Sequence, residues 1–319
     1  MGAQDEDARL LDPSTPAVLS AFAPAGPEAA TLLRLFWAMA AGAIVVWIAV
    51  LLVARAAVRR DARPVRDARW LILAGGVAVP LVVLTALLAY GLWLLPRVRA
   101  AVPADALRIE VSGEQWWWRV RYPETGVDTA NELHVPVGVP VALHLTSPDV
   151  IHAFWVPSLA GKMDMIPGRE NVLLIQADKP GIYRGACAEF CGASHAQMRL
   201  LVVAEPRDGF DAWLRAQAQP AAEAGDGPAR AGRAAFLGNG CGSCHTVRGT
   251  PANGRVGPDL THVGSRRELA AGTLPNDHEA LRRWIAQPHA SKPGALMPAF
   301  AMLRDDEVRA VAAWLGRLQ

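Results

Sequence analysis

Two apolar stretches dominate the first third of the chain. Leu35 to Ala54 runs for 20 residues without a charge, bracketed by Arg34 and Arg55. A helix of that length reaches about 30 Å, the hydrocarbon thickness of a bilayer. Trp70 to Pro96 is a second uncharged run, of 27 residues, long enough to cross with tilt. Core helices of soluble domains rarely lack charge over such lengths, so a two-helix transmembrane hairpin is predicted over residues 31–99. Pro80 lies inside the second run and is expected to kink it. From residue 104 to 205 the pattern changes to short alternating or β-branched runs: Leu107–Val111, Trp116–Tyr122, Leu133–Val135, Val139–Leu145, Val172–Gln176 and Met198–Val203. Gly and Pro punctuate them, and strands at this spacing predict an all-β sandwich or barrel. Residues 206–228 are rich in Ala, Gln, Gly and Pro and read as a linker, with a short helical candidate at Phe210–Gln217. Residues 229–319 turn helical and close on an amphipathic segment, Asp305 to Leu318.

Charge adds an orientation. The loop between the apolar runs carries Arg55, Arg59, Arg60, Arg63, Arg66 and Arg69 against Asp61 and Asp67. The positive-inside rule places it in the cytoplasm and both termini on the outer face. The acidic segment 1–30, with Asp5, Glu6, Asp7, Asp12 and Glu28 against Arg9, fits that side. No basic stretch followed by an apolar core opens the sequence, so the first span is expected to direct insertion itself. Over all 319 residues the net charge is only +2, and no Lys/Arg run is interleaved with aromatics, which argues against a nucleic-acid binder. Four cysteines are too few for a disulfide scaffold, and they fall in two close pairs, Cys187/Cys191 and Cys241/Cys244.

The first pair belongs to Cys187-Ala-Glu-Phe-Cys191-Gly-Ala-Ser-His195-Ala-Gln-Met198, with His152 upstream at a strand end. Thiolate, imidazole and thioether together suit soft or borderline metals. Two thiolates in one loop can bridge two ions and leave one His for each. A disulfide on an oxidising face, a tetrahedral zinc and inert buried thiols are the competing readings. Met198 speaks against zinc, because a thioether is a poor zinc ligand and a good copper ligand.

The pattern Cys-x-Glu-x-Cys-x-x-x-His-x-x-Met, with Asp149-Val-Ile-His152 before it, closely resembles the binuclear copper A site of cytochrome c oxidase subunit II. The stretch HAFWVPSLAGKMDMIPGR from His152 to Arg169 and the preceding hairpin resemble the same family, over Leu35 to Glu205. The resemblance implies a cupredoxin-like domain over 104–205. It implies copper ligation by His152, Cys187, Cys191, His195 and Met198 and by the backbone carbonyl of Glu189. It further implies that the Glu189 side chain faces a magnesium or manganese ion shared with subunit I. Gly113-Glu114-Gln115-Trp116-Trp117-Trp118 resembles the strand through which that family takes in electrons, which implies Trp116 as the receiving residue. Glu114 and Trp117 depart from the family's His and Tyr. No acidic residue occurs between Trp70 and Pro96, and Leu73 stands where many members carry a Glu that serves proton uptake.

The second pair forms Cys241-Gly-Ser-Cys244-His245, the c-type haem attachment motif. A redox CxxC would need a βαβ setting, which the pattern lacks. Gly257-Pro258-Asp259-Leu260 and Leu296-Met297-Pro298 follow. Residues 229–319 thereby resemble a class I cytochrome c, an all-α domain. That resemblance implies haem c bound covalently to Cys241 and Cys244 with His245 and Met297 as axial ligands. Pro258 would steady the His245 ring, and Met302 competes for the sixth position without the family context. His134, His144, His262, His278 and His289 read as ordinary surface or core histidines.

Together the resemblances imply a multidomain membrane protein: an electron-transfer subunit II of a caa3-type haem–copper oxidase in a bacterial-type cytoplasmic membrane, with its soluble domains periplasmic. Its expected partners are subunits I and III and an external donor, either cytochrome c or a bc1-type complex. A linker of this length would hold the fused cytochrome at an effective concentration on the order of mM. The electron-accepting subunit of a copper A-containing nitric oxide reductase is the alternative. A membrane-anchored copper store would need no haem domain, and quinol oxidase subunits lack the ligand set.

Overall fold

The computed structural model describes residues 17, 19–59, 68–98, 101–223, 225 and 227–319. Much of the acidic N-terminal segment and most of the arginine-rich loop, including Arg60, Arg63 and Arg66, lie outside them. The described residues fall into two compact units: those within 30–102, and those within 17–29 together with 103–319.

The apolar runs form helices. α1 is Pro27–Arg59; the second run opens with α2, Ala68–Leu73, and continues through a π-helical turn, Ala74–Ala78, into α3, Val79–Val98. Two segments, Pro27–Arg59 and Ala74–Pro96, are long and apolar enough to cross a membrane, and almost none of their hydrophobic windows is buried within the protein. Leu, Val and Trp side chains along them stand open, as lipid-facing positions would. The π turn ends two residues before Pro80. Proline has no N–H to return to the preceding turn, and a wider turn absorbs that lost bond.

Residues 107–205 fold as a two-sheet sandwich. One sheet has the order β3-β2-β1-β5-β8 and the other β4-β10-β9-β6-β7. The strands are β1 (Leu107–Glu114), β2 (Trp117–Tyr122), β3 (Val127–Ala130), β4 (Glu132–Pro136), β5 (Val141–Thr146), β6 (His152–Trp155), β7 (Met163–Met165), β8 (Asn171–Ile175), β9 (Gly181–Cys187) and β10 (Arg199–Glu205). Strand alternation puts Ile109, Val111, Trp118 and Val120 into the shared core with Leu143, Phe154, Leu200 and Val202. Trp118 meets Phe154 edge-on, centroids 5.8 Å apart. Trp117 points the other way, under the Arg119 guanidinium at 4.6 Å. Trp116 stands just before β2 rather than inside it.

The segment following the sandwich begins with an ordered helix, α4 (Arg207–Gln217), that packs on it through Phe210. Trp213 stacks on the His134 ring at 3.9 Å. His134 Nδ1 lies 3.1 Å from Glu205 and Nε2 3.7 Å from Glu132. Burial disfavours the charged ring, but the two carboxylates outweigh it and raise the His134 pKa above its ordinary value. A raised folded-state pKa adds stability that is complete below the unfolded pKa and disappears as pH rises through the folded one. The thermal midpoint of the full chain in detergent is therefore expected to fall, from about pH 6.5 upward, more steeply than in His134→Gln. Parallel curves for the two proteins would remove His134 from this account.

Residues 228–319 form the helical domain: α5 (Pro228–Gly238), a small β11–β12 pair (Glu268–Leu269 and Leu274–Pro275), α6 (His278–Ala286), the short α7 (Pro288–Ser291) and α8 (Asp305–Leu315). α5 and α8 cross closely because Gly232 lets the Ala310 backbone approach where any side chain would collide. Phe236 and Trp314 lock the crossing edge-to-face at 5.1 Å.

Candidate functional site

The first constellation converges at one end of the sandwich. β9 ends at Cys187 and β10 begins at Arg199, so the intervening loop is closed by an antiparallel pair, with Cys187 N–H donating to Met198 O at 2.9 Å. Pairing of β6 with β9 sets Phe154 opposite Cys187 and brings His152, two residues earlier, over the same loop. His152, Cys187, Cys191 and Met198 are all buried, and His195 is half-buried.

The donor atoms face one another. Cys187 Sγ is 3.8 Å from Cys191 Sγ, 3.9 Å from His152 Nδ1 and 3.1 Å from the Glu189 carbonyl oxygen. Cys191 Sγ is 3.5 Å from His195 Nδ1 and 3.9 Å from Met198 Sδ. Both thiols are free. The Cys191 thiol, hydrogen-bonded to Cys187, pulls the Cys187 pKa down against the opposing effect of burial, and His152 adds to it. Loss of a second proton is disfavoured by the first thiolate and by burial, so the Cys191 thiol is raised. A cation between the two sulfurs removes that penalty. Two soft sulfurs, two imidazoles, a thioether and a carbonyl are a donor set that fits copper ions in this loop.

Asp149 is the part that the sequence reading quoted without assigning a role. Its carboxylate accepts from Gln115 N–H at 2.7 Å and Val150 N–H at 2.6 Å, and contacts His152 Nε2 at 2.8 Å. With Nε2–H donating to Asp149, Nδ1 presents its lone pair to Cys187 and the metal position. Gly113 makes room for this ring, since a Cβ there would lie 3.0 Å from His152 Cγ. Trp116 is buried under the loop and donates from Nε1 to Cys191 O at 2.9 Å. The Glu189 carboxylate points outward instead, half-exposed and 3.4 Å from Lys162 Nζ.

The second constellation lies after α5. Cys241 opens a 3₁₀ turn, Cys241–Ser243, and His245 N–H closes it on Cys241 O at 3.0 Å. His245 Nδ1–H donates to Pro258 O at 2.8 Å, which leaves Nε2 as the lone pair free for a metal. Burial lowers the His245 pKa, keeping the ring neutral and able to ligate. Met297 packs against the helical core, whereas Met302 is 77% exposed. Leu296 and Val256 expose large apolar side chains beside Met297 and Gly257. Two free thiols, a neutral imidazole and a thioether fit a covalently attached haem.

Known proteins share both parts. Residues 125–205 match the family described as cytochrome c oxidase subunit II, periplasmic domain, and residues 229–319 match cytochrome c. Cytochrome c oxidase subunit 2 of Alkalihalophilus pseudofirmus is 39% identical over 215 residues, 67% of this chain and 62% of that protein. The subunit 2 of Bacillus sp. PS3 is 33% identical over 221 residues, 66% of this chain and 62% of that protein. The chain thus spans a little under two thirds of these relatives' length. A crystal structure of the periplasmic domain of the corresponding subunit (CoxB) of Bradyrhizobium japonicum is 33% identical, covers 36% of this chain and 95% of that one, and has a TM-score of 0.35.

Proposed function

We propose that this chain, which belongs to the cytochrome c oxidase subunit II family and carries a cytochrome c domain at its C-terminus, is the electron-transfer subunit of a haem–copper oxidase. It would carry electrons from an external donor to subunit I, where O2 is reduced to water and protons are translocated. When bound, haem c and binuclear copper A supply the one-electron redox chemistry. The convergence of six donor groups, five from the 187–198 loop and His152 from β6, in one compact unit with a c-type haem motif, carries this reading.

This chain's residues have distinct tasks in it. His152, Cys187, Cys191, His195, Met198 and the Glu189 carbonyl hold the copper pair, and Asp149 orients His152. Cys241 and Cys244 anchor the haem, His245 and Met297 ligate its iron, and Pro258 fixes the His245 tautomer. Trp116 receives the electron beneath the copper loop. The outward Glu189 carboxylate is available to a magnesium or manganese ion at the boundary with subunit I. Subunit III and a cytochrome c or bc1-type donor complete the assembly.

A periplasmic placement has support in the N-terminal segment. Ser158 O accepts from Ala25 N–H at 2.7 Å, and Asp178 N–H donates to Ala25 O at 2.7 Å. The chain just before α1 is thus fastened to the sandwich.

The test is oxygen uptake by the complex purified through this chain and driven by a reduced artificial donor. Cyanide-sensitive uptake is expected. A preparation that retains haem and copper, consumes nitric oxide and takes up no oxygen would move the chain to a nitric oxide reductase.

A further inference from the structure

The cytochrome domain does not hang from a loose tether. Arg248 holds Gln217 O, His262 Nε2–H donates to Gln219 O at 3.0 Å, and Ala221 N–H donates to Arg248 O at 2.9 Å. The end of α4 and the chain after it are therefore fastened to the cytochrome domain, which itself lies against the sandwich. The contact centres on Lys292-Pro293-Gly294, a few residues before Met297. Ser194, fully buried between Cys191 and Met198, donates from Oγ to Pro293 O at 2.6 Å. Lys292, 3% exposed, donates from Nζ to Gln197 O at 3.0 Å and to Ala270 O at 2.8 Å, one carbonyl from each domain. Ala270 and Ala271 both sit at left-handed φ, 51° and 57°. That turn aims its carbonyls outward: Ala270 O meets Lys292, and Ala271 O accepts from Arg199 N–H at 3.1 Å. Gly294 takes φ 78°, and a Cβ there would lie 2.9 Å from Trp116 Cη2. Toward the rim, Arg184 forks onto Glu268 at 3.0 and 2.6 Å, and Glu132 accepts Arg267 N–H.

We propose that Lys292 and Ser194 are positioning residues that clamp the iron-ligand side of the cytochrome domain onto the copper loop, so that electrons cross within one fixed docked arrangement. The inference rests on the proposed function above and extends it to a named device. A tethered domain that searched for its partner would need neither a buried lysine shared between two domains nor a fully buried serine. Burial holds the Lys292 pKa down, to about 7, and at Nζ the Gln197 and Ala270 carbonyls take the place of water. The clamp also covers Trp116 with this chain's own Gly294. An external donor must then deliver to the cytochrome domain.

The intact complex tests this by light-triggered reduction of haem c, followed by the rate of its reoxidation through copper. Lys292→Met and Ser194→Ala are compared with wild type. Each is expected to slow the transfer by about tenfold or more and to make it dependent on solvent viscosity. Haem and copper spectra and both midpoint potentials should stay in place. Ser194→Ala changes no charge, the two measured midpoints separate a positioning effect from a potential shift, and the variant remains informative if Lys292→Met does not assemble. Wild-type rates without viscosity dependence in Ser194→Ala would overturn the clamp and leave the functional reading standing. No haem-to-copper transfer in the wild type would overturn both.

Discussion

Replacing Cys187 with serine is expected to leave a folded, haem-containing chain that no longer passes electrons to subunit I. The side chain is buried, and its sulfur lies within 4 Å of a second thiol, an imidazole and a carbonyl oxygen at once. Serine matches its size but offers a hard hydroxyl that stays protonated at neutral pH, and it cannot bridge two soft ions. The neighbouring donors keep their positions because β6, β9 and β10 place them. Removing a residue that merely orients a metal ligand costs roughly 10–100-fold, and loss of a bridging ligand should exceed that. In the purified complex, haem c should still be reduced by an artificial donor while oxygen uptake collapses and copper content falls. Full turnover in Cys187→Ser would sink the binuclear-copper reading.

The difference between what the sequence disclosed and what it concealed follows distance along the chain. The four side-chain ligands of the copper loop, Cys187, Cys191, His195 and Met198, lie within twelve residues, so their spacing alone exposed the site. His152 joins them only through the β6–β9 pairing, and without the resemblance it would have been one histidine among eight. Strands with one core face and one polar face, such as β1 and β2, announced themselves by alternation. β6 and β7 are short and β9 is mostly buried on both faces, so none of the three carried a readable period. Asp149 had a usable signal, since it stands three residues before His152. Lys292 had none: a lysine beside Pro and Gly reads as a solvated loop residue. Its burial depends on two domains meeting, which no local pattern encodes. In the stretch after the sandwich the helical candidate at Phe210–Gln217 is present as α4, Arg207–Gln217, but its seating on the sandwich was not legible. The stretch's Ala- and Gln-rich composition reads as a linker, and what that composition hides is that Phe210 and Trp213 give α4 an apolar face that seats on the sandwich.

Replacing Met297 with alanine is expected to leave the haem attached and to lower its potential. Attachment depends on the Cys241 and Cys244 thiols, which lie in a separate turn anchored by His245 N–H on Cys241 O. The potential depends on the sixth ligand, because a thioether stabilises the reduced iron relative to a harder donor or water. The fall should be a sizeable fraction of the roughly 0.8 V that axial ligands command. Met302 is a poor substitute, since its side chain projects into solvent while Met297 packs against the domain core. The consequence is directional: a haem of lower potential still reduces the copper centre but accepts electrons less readily from outside. Oxygen uptake driven by a weak reductant should therefore drop further than uptake driven by a strong one. Redox titration of the haem in the intact complex measures the first effect, and an unchanged midpoint would transfer the ligand role to Met302.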